Sequence, residues 1–396
     1  LPTASHNQPA GRPSGARCGV ELTGLGQANL VLFMSLGSSL DNWAQAGTLA
    51  RETALYRALA PRLGGVHLVT YGPNDRALEP GLGGLKVRDN RLGLPLALYR
   101  RWLALGWGLR DLRPGVVKTN QMQGADVALA AARGAGLAFL ARCGYLPSNI
   151  AIWRHGQGSP QAAEFLRLEA QVFTAADRVA VTTPAMAQAV TERYGADPAR
   201  VRVVPNFVDT EIFAPVGQGG PGREDDLLVY VGRLHEEKNL LALIEALKGL
   251  PCRLELAGEG PQRDELIRAA QDLGVAASFL GKVDNTDLPR LLARAGAFVL
   301  PSKGEHHPKS LLEAMSCGTA CLGTDVPGIA ELIEHGRTGW LCPTDAAGLR
   351  AGIQAVMGDQ RLRADLGAAA RDFVLANFTF QRVLDLELAL LAELVG

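Results

Sequence analysis

Arg233 and Lys238 stand in Gly232-Arg233-Leu234-His235-Glu236-Glu237-Lys238-Asn239, between an apolar run and a helical pattern. A guanidinium fork, an ammonium and the positive end of a helix together suit a diphosphate, and Gly232 lets a ligand approach the backbone. Taken alone, the loop reads equally well as an exposed segment whose cations pair with Glu236 and Glu237. Two carboxylates follow in Pro301-Ser302-Lys303-Gly304-Glu305-His306-His307-Pro308-Lys309-Ser310-Leu311-Leu312-Glu313, with seven residues between Glu305 and Glu313. Glu305 falls in a loop and Glu313 in the opening of a helix. An ionised carboxylate accepts two hydrogen bonds from a vicinal diol, so the pair suits ribose or sugar hydroxyls beside a helix start able to hold phosphate. A bare pair at this spacing is coincidence. Its setting, after Pro-Ser and leading into Leu-Leu-Glu-Ala-Met-Ser-Cys-Gly, argues otherwise.

Other glycine-rich loops carry less. Gly258-Glu259-Gly260-Pro261 matches only G-x-G, with Arg263 where a dinucleotide fingerprint needs its third Gly, and Pro261 fits a first helical turn. Gly24-x-Gly26 precedes an apolar run instead of following one. Neither supports a nicotinamide enzyme. The loops 324–331 and 335–341 are locally turns. The seven His form no H-E-x-x-H set and the six Cys no C-x-x-C pair, so no protein-held metal is expected. Cys317 and Cys321 read as small buried hydrophobes, and sparse Cys suits a reducing, cytoplasmic setting.

Forty basic residues against forty acidic give a formal net charge of zero, which excludes a histone-like or acidic-tail protein and opposes nucleic acid as a partner. No run approaches the ~18 apolar residues of a membrane span. Residues 94–109 mix Leu and Trp with two Arg. They read first as a half-buried helix and second as a peripheral contact with the inner face of a membrane. Residues 1–27, polar and rich in Pro, Gly and Ser, read as a disordered tail without a secretory signal.

The elements that must position these loops alternate. Strands over 30–34, 66–70, 116–118, 137–141, 178–182 and 201–204 interleave with helices over 48–60, 125–132, 161–175 and 185–194. Residues 206–226 are irregular, ending in a Gly/Pro run and four charges, and read as a hinge. A second series follows, with strands over 227–231, 253–257, 278–280, 297–300 and 320–323. Its helices fall over 240–250, 263–273, 288–293 and 310–315, and a helical C-terminus runs on from about 349. Alternation of this kind predicts an α/β protein of two parallel sheets. In such sheets ligands sit beyond the carboxyl ends of the strands.

In this order the loops resemble the nucleotide-binding half of a family 4 glycosyltransferase. That family shows G-R-L-x-x-x-K-N, G-x-G-P, F-L-G-x-V, P-S-x-x-E-x7-E-A-M-x-C-G, T-x-x-x-G-I-x-E and G-x-T-G. Here Phe279-Leu280-Gly281-Lys282-Val283 supplies the middle element, and Pro205-Asn206-Phe207-Val208-Asp209 looks like the family's crossing into the second domain. The resemblance implies two Rossmann-like domains facing a cleft (the GT-B architecture). Residues 28–205 would form the acceptor-binding domain, 206–226 the hinge and 227–375 the nucleotide-sugar domain, with 376–396 packing back on the first. It further implies a retaining, metal-independent transfer of a hexosyl unit from a nucleoside-diphosphate sugar to a saccharide or lipid-linked acceptor, without a cofactor. Arg233 and Lys238 would bind the diphosphate and offset leaving-group charge, and Glu305 would contact donor-sugar hydroxyls near the reacting carbon. Glu313 would hold the ribose, Gly281, Lys282 and Val283 would meet the base, and Gly232, Ser310 and Leu311 would line the donor.

The chain departs from the family in two places. After Glu305 stands His306-His307-Pro308 instead of G-F-G. Pro308 removes a backbone donor, for which Lys309 and Ser310 would compensate. Where the family carries H-G or H-D, this chain has Arg142-Cys143-Gly144-Tyr145. Asn120 and its neighbours end a strand and so face the cleft, and the loop 37–47 matches the place of the family's N-terminal glycine loop. Asp41, Gly47, Asn120, Arg142 and His155 are therefore the acceptor-side candidates, although a His beside Trp and Arg is more often a surface residue. Among other classes, a sugar-nucleotide epimerase lacks the Glu pair, and a phosphorylase would need a pyridoxal-lysine segment. A degenerate nucleotide-binding partner subunit would have lost one of the four charges.

Overall fold

The computed structural model describes residues 24–215 and 222–396. The first sheet runs β1 (Asn29–Phe33), β2 (Gly65–Val69), β3 (Lys86–Arg88), β4 (Gly115–Thr119), β5 (Ala138–Cys143), β6 (Arg178–Val181) and β7 (Val201–Val203). The second runs β8 (Glu224–Val231), β9 (Arg253–Ala257), β10 (Ala277–Gly281), β11 (Ala295–Leu300), β12 (Ala320–Thr324) and β13 (Trp340–Cys342). The strands pair in parallel, in the orders β3-β2-β1-β4-β5-β6-β7 and β10-β9-β8-β11-β12-β13. Helices cover both faces, so inner strands such as β4, β11 and β12 are buried along their whole length, and β11 reads as a continuous apolar run.

Each order reverses once, between β1 and β4 and between β8 and β11. At such a switch point the two outgoing loops part to opposite faces and leave a crevice at the carboxyl edge. The loops after β8 and β11 carry Arg233, Lys238 and Glu305. Loop chemistry thus falls where the topology opens a crevice.

The chain crosses between domains twice, side by side. Val208 N–H donates to the Phe378 carbonyl at 3.0 Å, and the crossings form an isolated parallel bridge at Val208 and Thr379. Thr379 caps the last helix, Phe380–Val395, by accepting from the Arg382 N–H. That helix lies on the first domain, with Val383, Leu384, Leu388, Leu390 and Leu391 in one buried cluster with Leu30, Leu32, Leu55 and Leu59. Beneath it Lys118 Nζ donates to Glu387 Oε1 at 2.5 Å, with side chains 0% and 2% exposed.

Two boundaries differ from the sequence reading. Residues 24–27 are not tail: Leu25 opens a 3-10 turn and is buried in the first domain's core, because its side chain is apolar where its neighbours are not. Residues 1–23 lie outside the described residues. The acids at 224–226 are not linker but the beginning of β8. Glu224 pairs with Arg253 and Arg294, Asp226 with Arg253 and Asp225 with Arg363, so the run is neutralised by neighbouring elements rather than by water. Five cysteines (Cys143, Cys252, Cys317, Cys321 and Cys342) are free and buried, their thiols pushed above the ordinary value by burial. Cys18 lies outside the described residues.

Candidate functional site

The loop after β8 is held by its own geometry. A Cβ on Gly232 would meet the Tyr230 hydroxyl at 2.6 Å, so only Gly fits where this chain turns. Asn239 takes φ 56°, a left-handed conformation Asn tolerates, and its side-chain amide donates to the Pro301 and Thr344 carbonyls. The amide ties the two switch-point loops together. Lys238 Nζ lies 2.5 Å from Glu305 Oε1, which also accepts from Ser302 Oγ at 2.8 Å. Behind Glu305, a Cβ on Gly328 would fall 2.5 Å from the Glu305 and His306 carbonyl oxygens, and Gly328 has φ +83°. The loop 324–331 is therefore the support of the Glu305 loop. Arg233 extends outward, its side chain 70% exposed, and pairs with Glu237 at 2.7 Å. Glu237 also meets Arg154 of the first domain at 3.2 Å.

Glu313 lies in the helix Lys309–Ser316, whose first N–H groups lack intrahelical partners. Burial pushes its carboxyl up to about 7, against the cations Arg51 and Lys309. Arg51, from the first domain's helix Leu49–Leu59, stands 3.7 Å away. On the same turn, Glu52 accepts from Lys309 Nζ at 2.9 Å. Burial raises the Glu52 carboxyl, but Lys309 and Arg51 outweigh it and hold it below its ordinary value. His306 and His307 are both held below the ordinary imidazole value by burial, His307 at about 4, so neither adds positive charge at neutral pH.

Of these, Arg51, Glu52, Arg233, Lys238, Glu305 and Lys309 line a cleft of about 880 Å³ walled by both domains, whereas Glu313 is buried behind its lining. Its first-domain wall includes Asn120 and Arg142. Arg142 donates to the Asn120 carbonyl at 3.2 Å and to Asn206 Oδ1 at 3.1 Å, while Asn206 donates to the His307 carbonyl at 2.8 Å. The crossing segment thus links the candidate acceptor wall to the Glu305 loop. Helix Pro147–His155 brings Trp153 and Arg154 to the rim, and is anchored below by buried Glu169, which accepts from Ser148 N–H and the Tyr194 hydroxyl.

Other candidates are placed elsewhere. His155 is exposed at the end of that helix and does not line the cleft, because the helix turns it away from the face bearing Arg154. Asp41 is exposed in the first turn of Leu40–Gln45 and accepts from Gln45, also off the cleft. Gly47 meets Lys282, whose Nζ donates to the Gln45 carbonyl at 2.7 Å, which makes this pair a bridge between domains outside the main cavity. Gly281 takes φ +66° and gives its carbonyl to the Gly258 N–H, locking the FLGKV segment beside Gly-Glu-Gly-Pro, and Val283 packs on the second core. Leu311 is a core side chain, so it offers a ligand only its backbone, and Ser310 is half-buried beside it. Lys118, at the strand end expected to face the cleft, is instead buried on Glu387. Sequence reasoning missed Arg51, Glu52 and Arg154, whose charges on helices look solvated until the facing domain is known. Among the described residues, no group of three or more His, Cys, Asp or Glu is placed to hold a metal ion.

Two Rossmann-like domains closing on such a cleft define the GT-B class of fold. Anabaena HepE, solved with UDP and glucose, superposes with a TM-score of 0.72 over 90% of this chain and 98% of its own, at 19% identity. Sucrose-phosphate synthase from Thermosynechococcus elongatus gives 0.68 over 91% and 97%, at 21% identity. Two family models match in succession, Glycosyltransferase Family 4 over residues 53–212 and Glycosyl transferases group 1 over residues 217–373. The chain belongs to the family 4 glycosyltransferases. It is 34% identical over 224 residues to the glycogen synthase of Mycobacterium tuberculosis, covering 54% of each chain. It is 32% identical over 252 residues to the D-inositol 3-phosphate glycosyltransferase of Mycobacterium bovis, covering 58% of this chain and 51% of that one. The chain spans about half the length of the curated relatives it matches.

Proposed function

We propose that this protein transfers a hexosyl group from a nucleoside-diphosphate sugar to a hydroxyl of a saccharide or lipid-linked acceptor, with retained anomeric configuration and without a metal ion. The observation that carries the reading is the pairing of Lys238 with Glu305 at the second sheet's switch point, facing Arg142 and Asn120 across the cleft. When the donor binds, Arg233 exchanges Glu237 for a phosphate oxygen. Lys238 then stands between the diphosphate and Glu305, and Glu305 accepts from sugar hydroxyls. Glu313, ionised, accepts from the ribose diol. The bond from anomeric carbon to phosphate oxygen breaks, and its electron pair leaves with the diphosphate. Two cations and the start of helix Lys309–Ser316 stabilise that charge. The acceptor oxygen bonds to the anomeric carbon on the face the phosphate leaves and passes its proton to the departing phosphate oxygen.

A cytoplasmic site of action fits the five buried free thiols. Among the described residues no helix is long and apolar enough to cross a membrane. Release of nucleoside diphosphate from UDP-, GDP- and ADP-hexoses, followed with and without a chelator, tests the reading. It predicts release from one donor class that the chelator leaves unchanged and Glu305→Gln abolishes. A requirement for added divalent ion would overturn metal independence, and no release from any donor would overturn the activity.

A further inference from the structure

The first domain carries a surface that the cleft chemistry does not use. Helix Leu96–Ala104 buries only Tyr99 and Leu103, and Tyr99 anchors it by donating to the Thr70 carbonyl at 3.2 Å. Around that stripe six large apolar side chains lie open: Leu92, Leu96, Leu98, Trp102, Leu105 and Trp107, with Leu92 77% and Trp107 63% exposed. A monomer in water rarely leaves so many together. Their charge setting is one-sided. Residues 90–110 contain four Arg and no Asp or Glu, in a chain whose total charge is zero. Arg100 is spent on Asp126, whereas Arg91, Arg101 and Arg110 are exposed and make no ion pair among the described residues. Beside them opens a second cavity of about 450 Å³, lined by Arg76, Lys86 and Arg91 together with Trp102 and Leu109. Three acids, Glu79, Asp89 and Asp111, share that cavity, with Asp111 answering Arg88 at 3.8 Å.

We propose that this face docks on an anionic lipid bilayer, with Trp102, Trp107 and the leucines in the headgroup–acyl boundary and Arg91, Arg101 and Arg110 against lipid phosphates. Indole and leucine side chains ringed by arginine match the two layers of a bilayer interface, apolar below and anionic above. The absence of any acid from residues 90–110 supplies the charge complementarity. The face begins in the loop after β3, at the carboxyl edge of the sheet, and follows helix Leu96–Ala104 back to the segment that leads into β4 at the amino edge. Docking there holds whether or not the transferase reading does.

Sedimentation with vesicles of phosphatidylcholine, alone or carrying about one-third phosphatidylglycerol, tests the proposal. The wild-type chain is expected to pellet with the anionic vesicles, and less as ionic strength rises. Arg91→Gln/Arg101→Gln/Arg110→Gln should lose roughly fivefold in partitioning per arginine on anionic vesicles. Trp102→Ser/Trp107→Ser should lose partitioning on both compositions while keeping the wild-type response to nucleotide sugars. If the Trp variant fails to fold, the Arg variant decides alone. Wild-type protein that stays in solution with anionic vesicles at low salt would overturn the proposal. So would a dimer in light scattering that the Trp variant dissolves, which would make the face a self-association surface.

Discussion

Lys118→Met should release the last helix from the first domain. Lys118 and Glu387 are 2.5 Å apart with side chains 0% and 2% exposed, so neither has water to fall back on. The ammonium also stands 5.4 Å from the Tyr56 ring centroid. Removing one partner of such a pair strands the other charge and costs about 3–5 kcal/mol. For the docking of one helix in a two-domain protein, local opening is a more direct quantity than a melting midpoint. Hydrogen exchange of the peptide covering 380–395 should quicken by about two to four orders of magnitude in Lys118→Met if the loss falls on docking of this helix. Among the described residues Glu387 Oε2 has no hydrogen-bond partner, which leaves the wild-type pair imperfect. Lys118→Met/Glu387→Leu should therefore recover most of the lost protection. Exchange at the wild-type rate in Lys118→Met, or a double variant no better than the single one, would refute the reasoning.

Donor affinity should strengthen as pH rises through about 7, where burial has placed the Glu313 carboxyl, because only the carboxylate accepts from both ribose hydroxyls. Stability runs the other way: a raised carboxyl favours the fold below its unfolded value and loses that contribution as pH passes about 7. Calorimetric titration of a donor should show both the rise and its absence in Glu313→Gln. Gly328→Ala would drive a Cβ into the Glu305 and His306 carbonyls at a left-handed φ, at a cost of roughly 1–3 kcal/mol, and should weaken donor binding together with the melting temperature. Lys309→Ala should reduce donor affinity and turnover more than Glu52→Gln does. Equal losses would mean that Lys309 only latches the domains through its 2.9 Å contact with Glu52.

The sheets were legible because buried parallel strands such as Val116–Val117 and Phe298–Leu300 are apolar on both faces and contrast with amphipathic helices between them. The donor loops were legible for a related reason: Gly232, Asn239 and Gly328 are required by local backbone geometry, and local requirements leave local marks. β3 was missed because Lys86-Val87-Arg88 buries one residue of three in its burial pattern. Helix Pro147–His155 was missed because a Pro start and mixed polarity resemble a loop until Glu169 and Tyr194 lie beneath it. The cleft's far wall was the least legible part. Arg51, Glu52, Arg154 and the buried Lys118 acquire their partners from residues between 83 and 269 positions away, and no spacing within one helix records that.

The claim that the second domain's switch point holds a nucleotide sugar is tested most directly by thermal shift with UDP-, GDP- and ADP-hexoses, the free nucleotides and NAD. The account predicts that one nucleotide-sugar class stabilises the wild-type chain, and that Arg233→Ala and Glu305→Ala each lose most of that stabilisation. Stabilisation by NAD alone, or an equal response from wild type and both variants, would contradict it.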